Sequence, residues 1–113
     1  MNASKRPNTI ITAIVVTYNT SIEDLRINLR DLHFPIQVAI CDNSTDEVKS
    51  RRIREFATTV HWIYLPMGAN RGIAYAQNRG IDFAETNNSE FILLLDDDSR
   101  IEFNAVMKLL HGY

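Results

Sequence analysis

Phe91-Ile92-Leu93-Leu94-Leu95-Asp96-Asp97-Asp98 decides how the rest of the chain is read. A short, dense apolar run that stops at a polar cluster has the pattern of a strand buried on both faces, as in a parallel sheet. Three carboxylates directly after it repel one another unless something neutralises them. A hard divalent cation does so, and carboxylate oxygens suit Mg2+ or Mn2+. The plainer reading is a helix N-cap and first turn, where aspartate is common. Capping accounts for one aspartate; a metal accounts for the triplet.

The same order, apolar strand and then polar cluster, recurs upstream. Ile10 to Thr17 is β-branched and apolar almost throughout, and it ends at Thr17-Tyr18-Asn19. Ile22, Leu25, Leu29 and Leu32 then fall at helical spacing behind Ser21 as N-cap, with Pro35 stopping the helix. Ile36 to Cys41 reads as a second strand, ending at Asp42-Asn43-Ser44 and followed by a helix marked by Val48, Ile53 and Phe56. Val60 to Leu65 reads as a third strand, containing His61, Trp62 and Tyr64. A loop, Pro66 to Asn70, leads to a helix from Arg71 to about Thr86 with Ile73, Ala76, Ile81 and Ala84 toward the core. The last helix carries Val106, Leu109 and Leu110 as its apolar stripe.

Strands alternating with helices predict a parallel sheet with right-handed crossovers. Ligands of such sheets bind at the carboxyl ends of the strands. Thr17-Tyr18-Asn19, Asp42-Asn43-Ser44, Gly68 to Gly72 and Asp96-Asp97-Asp98 are therefore expected on one rim.

Composition narrows the function. At 113 residues, 45% hydrophobic and 23% charged, the chain has the size and make-up of one small globular domain. A net charge of −2 gives no general attraction to nucleic acid, and Arg51-Arg52-Ile53-Arg54 reads as a solvated helix face. The single cysteine, Cys41, excludes an internal disulfide and a cysteine zinc cage. Residues 1–9 are polar and read as a flexible segment without a secretion signal. No stretch reaches the ~20 apolar residues of a membrane span, so the expected location is the cytoplasm, peripheral to the membrane's inner face in the full-length protein.

Other chemistries fit less well. Gly68-Ala69-Asn70-Arg71-Gly72 lacks the lysine and hydroxyl of a Walker loop, yet Gly72 at a helix start lets backbone N–H groups approach a phosphate. Asp42 to Asp46 lacks the glycine and glutamate of an EF-hand; it reads as a turn into a capped helix. His33, His61 and His111 do not cluster, and no Ser/His/Asp set suggests nucleophilic catalysis. Gly80 inside a helix costs about 1 kcal/mol against alanine, which close approach to the sheet would offset. A haloacid-dehalogenase-like reading places its Asp-x-Asp on the first strand, whereas here it follows the fourth.

Taken together, Val15-Val16-Thr17-Tyr18-Asn19, Asp42-Asn43-Ser44, the run from Asn70 to Gly80, and Leu93 to Ser99 resemble the first half of family-two GT-A glycosyltransferases. The resemblance runs from about Ile10 to the end. It implies a three-layer α/β/α domain over 10–113 with a mainly parallel, Rossmann-like sheet of about four strands. It implies inverting transfer of a sugar from a nucleoside diphosphate to a hydroxyl of a saccharide or lipid-linked acceptor. Thr17 and Tyr18 would line the nucleobase pocket beside Asn19, and Asp42 would hydrogen-bond the pyrimidine. Asn70 and Gly72 would lie near the nucleotide, and Asn78 and Gly80 would hold their helix against the sheet. Asp96 and Asp98 match the DXD motif as metal-side residues, with Asp96 and Asp97 also counted toward the nucleotide sugar.

Within the family, the run through Ala76-Gln77-Asn78 and the triplet segment are most similar to bacterial rhamnosyltransferases, which use dTDP-rhamnose to build cell-surface polysaccharide. Asp97 departs from the glutamine common there, so a UDP-hexose donor stays open. Family members continue well past this strand, and that continuation supplies the acceptor site and general base. The expectation is therefore a donor-binding half, with no catalytic base before Tyr113, little transfer by itself, and self-association through exposed core.

Overall fold

The computed structural model describes residues 10–32, 36–98 and 103–111. The expectations on residues 1–9, His33, Pro35 and Ser99, and on the side chains of Leu109, Leu110 and His111, lie outside the described residues.

Strands β1 (Ile11–Thr17), β2 (Ile36–Asp42), β3 (Ile63–Pro66) and β4 (Phe91–Asp96) alternate with helices α1 (Ile22–Leu29), α2 (Glu47–Thr59), α3 (Ile73–Thr86) and α4 (Phe103–His111). The strands form one sheet in the order β3-β2-β1-β4, and every neighbouring pair is parallel. The chain steps outward from β1 to β3, then returns past β1 to place β4. Right-handed crossovers require that reversal to move the connecting helix to the other face. Accordingly Leu25 and Leu29 of α1, Ile53 and Ala57 of α2 and Val106 of α4 pack with Ile11, Ala13 and Val15. Ala76 of α3 packs with Ile14, Val16 and Cys41 on the opposite face. The three-layer α/β/α reading holds, and the strand order reverses between β1 and β4.

All of β1 is buried, as its unbroken apolar run requires of a central strand. The helix starts follow their capping residues: Ser21 accepts from the Asp24 amide, and Asp46 accepts from the Lys49 amide at 3.0 Å.

Four expectations need correction. The third strand begins at Ile63, because Val60 ends α2 by donating to the Phe56 carbonyl and His61, at φ 62°, turns the chain and donates to the Thr58 carbonyl. His61 is thus in a turn, and Trp62 precedes the strand, packed edge-on to Phe56 at 5.4 Å. The third helix begins at Ile73, after Gly72 at φ 88°. Ile73 and Val48, expected in the core, are 59% and 47% exposed, since each sits in the first turn of its helix. Asn78 is exposed and does not hold α3 to the sheet; Gly80 does. A Cβ built on Gly80 would lie 2.6 Å from Ile14 Cγ2 and 3.0 Å from Cys41 Sγ, so only glycine allows this approach.

Candidate functional site

The carboxyl ends of parallel strands gather the polar segments, and the crevice between β1 and β4 is the switch point where such sheets bind ligands. Val16 pairs with Asp96, so the turn after β1 and the aspartate turn after β4 emerge side by side.

Beneath this rim lies Asp42, 2% exposed. Its Oδ1 accepts from the Thr17 hydroxyl at 2.9 Å, from the Ser44 amide at 3.0 Å and from the Ser44 hydroxyl. Its Oδ2 accepts from Tyr64 at 2.6 Å and Ser50 at 3.1 Å. Ser50 and Tyr64 also lie 2.7 Å apart. A carboxylate buried in this way is stable because its oxygens are fully engaged. Burial, and after it donation to Asp42, push the Tyr64 phenol up to about 12. Thr17 is also buried. Thr17 and Asp42 therefore form the floor under the rim, and a base could reach Asp42 only by displacing one of these donors.

Tyr18, half exposed, stands above that floor. Asn19 adopts φ 49°, a left-handed conformation that asparagine tolerates better than most residues. Its Oδ1 accepts from the Thr45 and Asp46 amides, both at 2.9 Å, and its amide donates to Ser44 at 2.8 Å. Asn19 thus clasps the β1 turn to the β2 turn.

Asn43 joins the third segment. Its side chain donates to the Gly72 carbonyl at 3.1 Å and accepts from the Arg71 amide at 3.2 Å. Asn70 accepts from the Gly72 amide at 3.2 Å and is exposed. Gly72 supplies no side-chain cap, which leaves the first-turn amides of α3 without a side-chain acceptor at its positive end. The Arg71 guanidinium is held by the Met67 carbonyl at 2.9 Å and lies 5.3 Å from the Tyr75 ring centroid.

The three aspartates differ. Asp96 and Asp98 are exposed, whereas Asp97 is half-buried. Asp97 accepts from the Thr20 hydroxyl at 2.6 Å, and its carbonyl accepts from Asn28 on α1 at 3.3 Å. Among the described residues, no three His, Cys, Asp or Glu side chains gather into a metal-holding group. Two exposed carboxylates still suit Mg2+ or Mn2+. Mg2+ in particular keeps waters and takes one or two protein carboxylates together with phosphate oxygens.

Sequence reading placed Asn43 on the rim without a role, and missed Tyr64, Ser50, Thr20 and Asn28. Tyr64 packs against the core, and its hydroxyl also serves Asp42. Ser50 had no marking beyond its place on α2. Among the described residues no buried side-chain polar atom lacks a hydrogen-bond partner, so the polar floor is self-contained. Among them, too, no helix is long and apolar enough to cross a membrane.

Comparison with known proteins agrees with this architecture. Residues 12–112 match the family described as Glycosyl transferase family 2. The chain is 35% identical over 103 residues to the dTDP-rhamnosyl transferase RfbF of Shigella flexneri, covering 90% of this chain and 34% of that protein. It spans about a third of that relative's length. S. aureus TarS superposes with a TM-score of 0.70 at 22% identity, covering 91% of this chain and 19% of that one. A TarS 1-349 structure gives 0.70 at 24%, covering 91% and 32%. These two likenesses speak for the fold alone.

Proposed function

The chain belongs to glycosyl transferase family 2, and from that premise we propose that residues 10–113 form the nucleotide-sugar-binding part of a metal-dependent, inverting sugar transferase. The observation that carries this reading is the switch point between β1 and β4. It sets the exposed Tyr18 beside the exposed Asp96 and Asp98, at the strand ends.

In this reading the nucleobase lies against Tyr18, above Thr17 and Asp42. Asn70 and Gly72 border the nucleotide, where backbone amides at the start of α3 favour negative charge. Asp96 and Asp98 would hold a Mg2+ or Mn2+ ion, which would supply charge neutralisation at the diphosphate leaving group. The acceptor hydroxyl, of a saccharide or a lipid-linked acceptor, attacks the anomeric carbon from the face opposite the diphosphate. The sugar–diphosphate bond breaks, and a general base takes the hydroxyl proton. The base and acceptor site are assigned to the part of the relative's length that this chain does not span. Nucleotide binding is therefore the activity expected here. The relative's name supports dTDP-rhamnose as donor; a UDP-hexose is the competing donor.

A second reading, an assembly module, rests on Leu94, which is 50% exposed on the edge strand β4. Calorimetric titration with dTDP and UDP, with and without Mn2+, tests the first. Metal-dependent binding that is lost in Asp98→Ala supports the donor site. Nucleotide-independent dimers by sedimentation, with no binding, support assembly instead.

A further inference from the structure

The three consecutive aspartates have been treated as one acidic cluster, yet their surroundings divide them. Asp97 is half-buried between exposed neighbours, and it is tied to α1 and the β1 turn by its side chain and its backbone. The tie has a direction. The Tyr18 amide donates to Thr20 Oγ1 at 3.1 Å, and Thr20 Oγ1 donates its own proton to Asp97 Oδ2 at 2.6 Å. Thr20 itself is buried. A hydroxyl that accepts from one group and donates to another has a fixed rotamer and links the two rigidly.

We propose that Asp97 is a positioning residue: through Thr20 it ties the turn carrying Asp96 and Asp98 to the backbone of Tyr18. The tie sets the spacing between the nucleotide side of the rim and its metal side. Asp97 then contributes as a hydrogen-bond acceptor, not as a ligand and not through its charge. This rests on the donor-binding reading above, but the linkage itself exists without any ligand. Asn28, donating to the Asp97 carbonyl, holds the backbone of the same turn to α1, so a change of the Asp97 side chain frees the turn from Tyr18 without unfolding it.

The distinction is chemical. Asparagine retains the oxygen that Thr20 needs and removes the charge, whereas alanine removes both. Calorimetry with dTDP and UDP in Mn2+ should find Asp97→Asn within about twofold of wild type. Asp97→Ala and Thr20→Val should each weaken binding by about tenfold, as loss of one hydrogen bond does. The double variant should be no worse than either alone, because both break one linkage. Amide exchange of the nucleotide-free chain gives a reading independent of any ligand. Tyr18 should exchange about tenfold faster in Asp97→Ala, although Thr20 is still present, while the amides of β1 keep their protection. In Asp97→Asn the Tyr18 amide should behave as in wild type.

Equal loss of binding in Asp97→Asn and Asp97→Ala would overturn the proposal, since charge would then be what matters. Unchanged Tyr18 exchange in Asp97→Ala would overturn it as well. If the wild type binds neither nucleotide, the donor-binding reading of this chain fails, and exchange at Tyr18 still decides the linkage.

Discussion

Tyr64 on β3 donates its phenol proton to Asp42 at the end of β2, at 2.6 Å. Tyr64 pairs in register with Ile40, two residues before Asp42, so the phenol reaches forward along the sheet to the rim. Thr17 of β1 and Ser50 of α2 meet the same carboxylate. One buried anion therefore fixes the ends of three strands and the start of a helix.

Removing that hydroxyl should be felt in stability and in titration. Tyr64→Phe is expected to lower unfolding free energy by about 1–3 kcal/mol, measured by urea denaturation, because the bond is to a charged group. In the unfolded chain the phenol titrates near 10; in the folded protein burial, then Asp42, pushes it up to about 12. The folded state thus keeps a proton that the unfolded state loses. The associated stabilisation is fully present below about pH 10 and is lost as pH rises toward 12. An ultraviolet titration should show one of the four tyrosines ionising late, and Tyr64→Phe should abolish that step. A wild-type titration in which no tyrosine has a midpoint above about 10 would mean that the phenol is not bound to Asp42.

Gly80→Ala pits helix propensity against packing. Alanine gains about 1 kcal/mol in a helix interior. Its Cβ would lie 2.6 Å from Ile14 Cγ2 and 3.1 Å from Ile14 Cδ1, in a fully buried layer. Overpacking of this kind costs about 1–3 kcal/mol, and at 2.6 Å the upper part of that range applies. Net destabilisation is expected in urea melts, and Ile14→Ala should cost less in the Gly80→Ala background than in wild type, because it removes the atoms that clash. A Gly80→Ala protein more stable than wild type would refute the close contact.

The fold was legible because its signals are long and local. β1, β4 and the stripe of Leu25 and Leu29 repeat over whole elements, and alternation of strand and helix leaves few topologies. The misread positions lie at element ends, where local pattern competes with a turn. Val60 and His61 look like a strand, but the C-terminus of α2 claims them. At the site, the segments could be read from their places at strand ends. The division of labour within them could not. Asp96, Asp97 and Asp98 are chemically identical in sequence, and Thr20 and Asn28, distant in the chain, distinguish the middle one. Likewise Asp42 looked available for a base until Ser50 and Tyr64 were found on its second oxygen.

Cys41 should be chemically silent in the folded chain. It is fully buried against Ile14 and Gly80, and burial pushes its thiol up to about 11. Thiolate is the reactive form, so at neutral pH both access and ionisation oppose reaction. Mass spectrometry after brief treatment with a maleimide at pH 7 should find only a trace of adduct on the native protein and complete labelling in denaturant. Because α3 covers Cys41, the slow labelling that remains measures how often α3 lifts from the sheet. Rapid native labelling would show that this layer is open in solution.

Asn19 offers a test of clasp against ligand. It was expected to touch the nucleotide sugar, yet its side chain is spent on Thr45 and Asp46 amides and on the Thr45 hydroxyl. Asn19→Gly keeps the left-handed backbone at φ 49° and removes only the clasp. Asn19→Ala removes the clasp and adds backbone strain. A purely structural clasp predicts a loss of about 1–2 kcal/mol for glycine and more for alanine in urea melts. Asn19→Asp, which retains the accepting oxygen, should stay near wild type. Nucleotide affinity should then follow these stabilities. If Asn19→Asp is as stable as wild type yet loses binding by tenfold or more, the side chain meets the ligand directly and the clasp is its secondary role.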